Sequence, residues 1–360
     1  IVHTYDNRGA LHKVTYPDNT PEKVSVLNAE GSLLSLTAGS AMWEYEYNSL
    51  QQVEREIFTI DSVSWLLDPI YNSLGHVESL IYPSGIQVAF APNAFGQPTQ
   101  VGDYISAVQY HPTGDVKSYT YGNGLQFAQT LDELQRLDVS TVKNQNSLLI
   151  GLDHGYDDNQ NITSITDLVT PTKSISLDYD ELNRLDTASG FWGQGSFDYD
   201  ALGNIKHKNL GTQQLTYSYD SNNRLKTVTG GYSFNYDTRG NVTNNAKRGF
   251  VFNRANQLVS SGTNSYQYDG YNRRVKKTSN GKVQLSLYNA SGQLMMTDGD
   301  KGPTEYFYLG KKLIAKESSV ITSEDTPGYT GHLEDDDLQL TYMQQRYYDP
   351  VIGRFYSNDP

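Results

Sequence analysis

A seven-residue phrase recurs along most of this chain and constrains its fold more than any other feature. The phrase is Tyr or another large apolar residue, Asp or Asn, two variable residues, Gly or Asn, one further residue, and Leu, Ile or Val. Clear copies occupy residues 5–11, 179–185, 199–205, 219–225 and 236–242. Looser copies begin at Leu27, Tyr47, Tyr71, Pro92, Tyr110, Leu131, Tyr156, Phe252, Tyr268 and Tyr288. Consecutive copies start roughly 16 to 25 residues apart, which predicts an array of similar units.

Each copy is predicted to close a β-hairpin. In residues 215–228, large and small residues alternate on both sides of the polar stretch 220–223, as in two strands joined by a turn. Asp accepts hydrogen bonds from the backbone amides that follow it, and Gly or Asn tolerates the positive φ that closes the loop. We therefore interpret the repeated Asp as a turn former and not as a general acid. The repeated Tyr is predicted to pack between units, in preference to forming a platform that binds sugars or bases.

The composition favours an all-β protein. The 360 residues include 28 Tyr, a strand-forming residue, and 31 Gly, which supply turns. The predicted architecture is a tandem array of β-hairpins that forms one long antiparallel sheet. Because sheets twist with a fixed hand and long open sheets curl to protect their edges, this sheet is predicted to spiral into a shell or cocoon.

The charge and the absence of cysteine restrict the classes of partner. A net charge of -13 argues against nucleic acid or an anionic membrane surface as a partner. The absence of Cys rules out disulfides and thiolate metal sites and fits folding in a reducing cytoplasm. No apolar run reaches the length of about 18 residues needed to span a bilayer. The chain starts in mid-repeat at Ile1, so we expect it to be a fragment.

Two charged clusters are predicted to be solvated. The basic cluster, residues 273–277, lies on an alternating strand, and the acidic run, residues 334–337, lacks the spacing and central Gly of a calcium loop. The seven His are scattered, without the spacing of a zinc site. The sequence therefore predicts no metal site and no cofactor.

The last residues depart from the phrase and form a signature of their own. Its characteristic residues are Arg346, Tyr347, Tyr348, Asp349, Pro350, Gly353, Arg354 and Phe355, followed by Ser357, Asp359 and Pro360. Together with the copies of the phrase, this signature closely resembles the bacterial rearrangement hotspot (RHS) or YD-repeat family. The resemblance covers nearly the whole chain.

The resemblance implies a β-shell at residues 1–310 and an RHS repeat-associated core segment at 311–360, where the autoprotease or plug region starts. It implies the structural shell of a polymorphic toxin, which encapsulates a C-terminal toxic effector and delivers it in bacterial competition. It also implies that an aspartyl autoprotease releases the effector at a motif downstream of this fragment. An alternative is a cell-surface adhesion module of the teneurin type, which binds carbohydrate or protein.

The same resemblance points to candidate catalytic residues. By the position of the motif, Asp359 is one aspartate of the autoprotease, and Arg354 supports it by setting its ionisation. Aspartyl proteases need two carboxyl groups that share a proton, and the partner aspartate is expected downstream of Pro360. The fragment alone is therefore expected to be inactive, while the intact protein is expected to cleave itself.

The resemblance also suggests partners and a location. The expected partners are the protein's own C-terminal toxin, secretion-system or chaperone proteins, and a second copy that pairs through sheet edges. Manufacture in the bacterial cytoplasm, followed by secretion or delivery into target cells, for example as a type VI secretion effector, is the expected route.

Overall fold

The computed structural model describes residues 1–318 and 332–357. This part of the chain is built of β-strands, with one 3-10 turn at Pro171–Lys173. It contains no helix that is long and apolar enough to cross a membrane. The chain divides into two compact units: unit 1 comprises Ile1–Gln97 and Asn235–Pro360, and unit 2 comprises Pro98–Phe234. The predicted division at residues 310 and 311 stays a prediction.

Unit 1 begins with a nine-stranded sheet, the N-terminal sheet, in which every strand pairs with its neighbours in sequence. Its strands are β1 (Val2–Tyr5), β2 (Leu11–Thr15), β3 (Lys23–Leu27), β4 (Leu33–Ala38), β5 (Ala41–Tyr47), β6 (Val53–Ile60), β7 (Val63–Tyr71), β8 (Val77–Ile81) and β9 (Gln87–Ala89).

Unit 2 contains one sheet of thirteen strands, again in sequence order. Its strands are β10 (Ile105–Tyr110), β11 (Val116–Tyr121), β12 (Gln126–Leu131), β13 (Leu137–Lys143), β14 (Leu148–Tyr156), β15 (Ile162–Asp167), β16 (Ile175–Tyr179), β17 (Leu185–Gly190), β18 (Gly193–Tyr199), β19 (Ile205–Leu210), β20 (Gln213–Tyr219), β21 (Leu225–Val228) and β22 (Tyr232–Ser233).

Three further sheets complete unit 1. The pair β23 (Asn235–Tyr236) and β24 (Val242–Asn244) precedes an eight-stranded sheet, the C-terminal sheet. The C-terminal sheet consists of β25 (Val251–Phe252), β26 (Leu258–Ser261), β27 (Asn264–Tyr268), β28 (Arg274–Ser279), β29 (Lys282–Tyr288), β30 (Leu294–Gly299), β31 (Gly302–Leu309) and β32 (Lys312–Ser318). The last four strands are β33 (Leu333–Asp335), β34 (Leu340–Met343), β35 (Arg346–Asp349) and β36 (Arg354–Phe355).

The named strands pair antiparallel, so the predicted all-β array of tandem hairpins is confirmed. All fifteen predicted copies of the phrase form their turn within the described residues. We number the phrase positions 1 to 7. The position 2 amide donates to the position 6 carbonyl, and the position 5 amide donates to the position 2 carbonyl; these distances are 2.8 Å and 3.0 Å at Asp200. Position 5 has positive φ, for example 83° at Gly203, which Gly adopts without strain.

Two further turns of this geometry, at residues 82–86 and 121–125, were not predicted. Each has Tyr where the phrase has Asp or Asn, so position 2 supplies no side-chain acceptor. Position 4 supplies it instead: Ser84 Oγ accepts the Ile86 amide at 3.2 Å, and Asn123 Oδ1 accepts the Leu125 amide at 3.1 Å. Both turns keep Gly at position 5, with φ of 87° at Gly85 and 84° at Gly124.

The core of unit 1 lies between its N-terminal and C-terminal sheets. Trp43 and Phe58 are fully buried, with ring centroids 4.7 Å apart. The Trp43 indole N–H donates to the Asp269 carboxylate at 3.0 Å, and the Tyr82 hydroxyl donates to the Tyr306 carbonyl at 3.2 Å. These contacts join residues more than 220 positions apart. In unit 2, Tyr119 stacks on Phe127 at 4.7 Å.

Candidate functional site

The aspartates of the phrase are occupied by their own turns. In the copy at 179–185, Asp180 Oδ1 accepts the amides of Leu182 and Arg184, each at 2.9 Å, and Oδ2 accepts the Arg184 guanidinium at 2.7 Å. The Arg184 hydrogen bonds hold the pKa of Asp180 below its usual value. This carboxylate is ionised and satisfied, as a turn former requires, and it is not arranged as a general acid.

The tyrosines of the phrase connect consecutive copies. The Tyr199 hydroxyl donates to the carbonyl of Leu185, position 7 of the preceding copy, at 2.8 Å, and Tyr219 makes the same bond to Ile205 at 2.9 Å. The Arg184 guanidinium also lies over the Tyr199 ring, 4.4 Å from its centroid. The same hydroxyl-to-carbonyl bond is made by Tyr47, Tyr71, Tyr110, Tyr156, Tyr179 and Tyr268, and by Tyr308, which follows the last copy. The tyrosine row therefore holds the array together, as predicted from its position in the phrase.

The residues that depart from this scheme lie in the C-terminal β-segment, residues 332–357. This segment packs on the C-terminal sheet through buried charges. Arg274 on β28 contacts the Asp335 carboxylate at 2.5 Å, and Lys277 contacts it at 3.0 Å. Lys277 also contacts Asp337 at 2.9 Å and lowers its pKa. Arg274 and Asp335 are 2% and 1% exposed, so these charges are compensated by each other, by Lys277 and by nearby polar groups, and hardly by water.

These contacts correct two predictions. The basic cluster at 273–277 and the acidic run at 334–337 were expected to be solvated, but Arg273, Arg274, Lys277 and Asp335 are all buried. The two clusters neutralise each other across the junction between β28 and the C-terminal β-segment. Arg273 lies in the phrase turn that precedes β28, and its guanidinium binds the buried Asp269 carboxylate at 2.8 Å.

Buried tyrosines surround the Arg274 guanidinium. It lies 4.6 Å from the Tyr342 ring centroid and 5.8 Å from that of Tyr347, and it donates to the Tyr347 hydroxyl at 3.1 Å. The Tyr342 hydroxyl accepts the Arg274 amide at 2.5 Å and donates to the Gln344 carbonyl. Burial raises the pKa of Tyr342 and Tyr347, so both remain protonated hydrogen-bond donors. The arrangement fixes the segment by cation–π and hydrogen-bond contacts together.

The signature residues form a compact end to this segment. The Arg346 guanidinium lies 3.8 Å from the Phe355 ring centroid, and Tyr348 contacts the same ring at 5.2 Å. Asp349 begins the turn that contains Pro350, since its Oδ1 accepts the Val351 amide at 2.9 Å. Gly353 closes that turn with φ of 68°. Most of the signature is therefore used to build this turn and the strand pair β35–β36.

Tyr356 anchors the end of the segment, and sequence reasoning did not identify it. Its buried hydroxyl donates to Asp349 Oδ2 at 2.6 Å and accepts the Asn245 side-chain amide at 2.9 Å. Its carbonyl accepts the Val242 amide at 2.8 Å, and its ring meets Phe250 edge-on at 5.1 Å. An aromatic residue three positions before the Asp of Asp-Pro was the only signal in the sequence, and it does not specify these partners.

The predicted catalytic residues are placed only in part. Arg354 lies on β36, directly opposite Asp349 on β35, and is half-buried. Asp359 lies outside the described residues, so its catalytic role and the supporting role of Arg354 stay predictions. Among residues 1–318 and 332–357, no group of three His, Asp or Glu side chains is arranged to hold a metal ion.

Comparisons with known proteins agree with this geometry. Residues 96–298 match the family Teneurin YD-shell. The tRNA3(Ser)-specific nuclease WapA of Bacillus spizizenii is 25% identical over 227 residues, covering 57% of this chain and 9% of the relative. The tRNA nuclease WapA of Bacillus subtilis strain 168 is 24% identical over the same length, with the same coverage. The chain thus spans about a tenth of the length of these relatives.

Solved structures share the fold over nearly the whole chain. The crystal structure of TcdB2-TccC3-Cdc42 superposes with a TM-score of 0.70 at 15% identity, covering 99% of this chain and 25% of that one. That of TcdB2-TccC3 gives 0.68 at 16% identity, covering 99% and 26%. Identities this low show the fold alone.

Proposed function

The chain belongs to the teneurin YD-shell family, and from that premise we propose that it is the structural shell of an RHS-type toxin that encapsulates and delivers a C-terminal effector. The observation that carries the proposal is the attachment of the C-terminal β-segment. Arg274, Asp335 and Tyr356 fix this segment to unit 1 by buried contacts. In a longer protein, a domain that follows would start from a fixed point on the shell and not from a free tail.

The relatives support an effector as the cargo. The two WapA proteins are named as tRNA nucleases, and the part of each that resembles this chain covers 9% of its length. We propose that the intact protein likewise has two functional parts, in which the repeat array holds a toxic domain with its own activity. Bacterial manufacture followed by secretion or delivery, by a type VI or another system, belongs to this proposal.

Encapsulation is tested by protecting the effector from proteases. The full-length protein is treated with a broad-specificity protease, next to the effector domain produced alone, and intact effector is followed over time by mass spectrometry. Slower digestion of the effector inside the full-length protein is expected. Equal digestion rates in the two samples would contradict encapsulation, whatever the outcome for self-cleavage.

Release by self-cleavage is a separate step of the proposal. An aspartyl protease activates water with two carboxyl groups that share one proton, so removing one carboxyl abolishes activity. We expect Asp359→Asn to leave the full-length protein uncleaved on a denaturing gel, while the control Asp336→Asn, at an exposed carboxylate of the acidic run, is cleaved as in the wild type. Normal cleavage of Asp359→Asn would exclude Asp359 as a catalytic residue.

The adhesion alternative rests on exposed aromatic residues that bind glycans. Apart from Tyr5, which is 58% exposed, the tyrosines of the phrase are half-buried or buried, and hydroxyls such as those of Tyr199 and Tyr268 donate to backbone carbonyls. These side chains therefore contribute to packing within the array and are not free to bind a glycan. Specific binding of this chain to a glycan panel would favour the alternative.

A further inference from the structure

Unit 1 contains a cavity where the C-terminal β-segment meets three turns of the same unit. Its volume is about 440 Å³. Its walls are the turn at 247–249, the β26–β27 and β28–β29 connections, and Asp337 and Leu338 between β33 and β34. Cavities that bind small molecules have volumes of about 300 to 1,000 Å³. This cavity, here the basic cavity, is therefore large enough for a small polar ligand.

Two adjacent cationic residues line the basic cavity, and one side chain holds their backbone. Asn245 Oδ1 accepts the backbone amides of Lys247 and Arg248, at 3.0 Å and 2.8 Å. The Asn245 side-chain amide also donates to the buried Tyr356 hydroxyl at 2.9 Å. The turn is therefore anchored to the end of the C-terminal β-segment, and both cationic side chains extend from a fixed backbone.

The Arg248 guanidinium is not used by the fold. Within the described residues it donates no hydrogen bond, and its Nη1 atom is buried without an acceptor. A buried donor that lacks an acceptor costs free energy, so most such groups in folded proteins are paired with protein, water or a ligand. The guanidinium thus keeps its donors for an acceptor that the described residues do not supply.

Asp337 does not take the role of that acceptor. It is the only carboxylate among the described residues that line the basic cavity, and it contacts Lys277 at 2.9 Å. Its pKa is lowered first by the hydrogen bond from Lys277, to which the charge of Arg248 adds. Because Asp337 is paired with Lys277, the positive charge of Arg248 remains available to a ligand, in a chain whose net charge is -13.

Polar groups on the other walls suit the body of such a ligand. The Thr263 hydroxyl donates to Asn280 Oδ1 at 3.2 Å, and the side chain of Asn264 lies on the same wall. Hydroxyl and amide groups of this kind bind the hydroxyl groups of a polar molecule. A guanidinium beside them binds phosphate or carboxylate oxygens by charge-assisted hydrogen bonds.

We propose that the basic cavity binds the phosphate group of a small polar molecule, with Arg248 as its principal contact. Phosphate is favoured over a carboxylate because a phosphate monoester carries a charge of about -1.5 to -2 at pH 7, which matches two adjacent cationic residues. The ligand contacts both the turn at 247–249 and the C-terminal β-segment, so its binding stabilises the attachment of the segment. This inference does not depend on the proposed effector.

The experiment is isothermal titration calorimetry of the 360-residue chain with inorganic phosphate, glucose 6-phosphate and uncharged glucose. Arg248→Gln removes the principal contact. Asn280→Asp is a second variant, which places a negative charge in the wall at an exposed residue whose φ of 50° Asp tolerates. The control Arg55→Gln removes an exposed cation from another part of unit 1. Circular dichroism checks that every variant is folded.

The wild type and the control are expected to bind the phosphate compounds and not glucose. Arg248→Gln and Asn280→Asp are each expected to raise the dissociation constant by about tenfold or more. Tighter binding of glucose 6-phosphate than of inorganic phosphate would assign the polar walls to the sugar, and equal binding would identify free phosphate as the ligand.

Three results would each overturn the proposal. The first is a wild type that binds neither phosphate compound. The second is a dissociation constant for Arg248→Gln equal to that of Arg55→Gln. The third is binding of glucose as tight as that of glucose 6-phosphate.

Discussion

The Arg274 guanidinium and the Asp335 carboxylate lie 2.5 Å apart, and both side chains are almost completely buried. They are 61 residues apart in sequence and attach the C-terminal β-segment to the C-terminal sheet. A buried pair of this kind contributes little compared with an apolar replacement, but removing one partner leaves an uncompensated charge. The pair is therefore one of the buried contacts that hold this segment on the sheet.

We expect Asp335→Asn to lower the free energy of unfolding of unit 1 by about 3 to 5 kcal/mol, because Arg274 and Lys277 lose their shared counter-ion. Chemical denaturation followed by tryptophan fluorescence measures it, since Trp43 reports on unit 1. Asp336→Asn, at the exposed neighbour, is the control with little expected change. The double variant Arg274→Met/Asp335→Leu should recover most of the loss. Wild-type stability of Asp335→Asn would show that the pair does not hold the segment.

The acid sensitivity of the array is predicted from the turn aspartates. The Arg224 backbone amide and guanidinium lower the pKa of Asp220. A depressed folded-state pKa contributes stability above the unfolded value of about 3.9, and that stability is lost as pH falls through the folded pKa. We expect the melting temperature of Asp220→Asn to be lower than that of the wild type at pH 7. Near pH 2 to 3, the two melting temperatures are expected to be equal. Thermal melts across this range provide the measurement.

The reciprocal change provides a matched test of the same idea. Asn48 occupies position 2 of its copy, and its Oδ1 accepts the amides of Leu50 and Gln52 at 2.9 Å and 3.0 Å. We expect the melting temperature of Asn48→Asp to be higher than that of the wild type at pH 7, and we expect this difference to disappear in acid. A pH-independent difference in both variants would mean that the turn depends on shape and not on charge.

The local part of the fold was predictable, and the long-range part was not. Each phrase turn depends on an acceptor and a positive-φ residue three positions apart, such as Asp200 and Gly203, so seven residues suffice to identify it. The RHS or YD-repeat resemblance drawn from these copies and from the terminal signature is confirmed by the family match. The extra turns at 82–86 and 121–125 were not predicted because position 2 is Tyr there and the side-chain acceptor, Ser84 or Asn123, occupies position 4.

The site was predicted less well because its contacts join distant residues. Arg274 and Asp335 were each interpreted from their immediate neighbours, and a charged residue beside other charged residues is usually solvated. The sequence did contain one signal for this contact: a basic cluster and an acidic cluster of similar size, which could pair with each other. No comparable sequence pattern predicts the hydrogen bonds of Tyr356 to Asp349 and Asn245. The role of Asp359 stays a prediction.

The hydroxyl of the repeated tyrosine is predicted to stabilise the array. Tyr199→Phe removes the bond to the Leu185 carbonyl and keeps the ring, so we expect a loss of about 0.5 to 1.5 kcal/mol in the unfolding of unit 2. Tyr5→Phe is the control, because Tyr5 occupies the same phrase position but is 58% exposed, and little change is expected there. Urea denaturation of both variants provides the comparison. Equal losses would show that the ring and not the hydroxyl links the copies.

The residue types that position 5 of the phrase tolerates are predicted to depend on the backbone conformation there, and not on the space available for a side chain. At Gly203, φ is 83°, and a Cβ would meet only the Arg184 guanidinium at 4.0 Å, which is ordinary contact. Gly203→Ala is therefore expected to cost about 1 to 2 kcal/mol through the left-handed conformation alone. Gly203→Asn is expected to cost less, because Asn183 and Asn223 hold φ of 57° and 59° at the same position. Urea denaturation ranks the two variants, and an Ala variant at least as stable as the Asn variant would rule out backbone strain as the reason for Gly here.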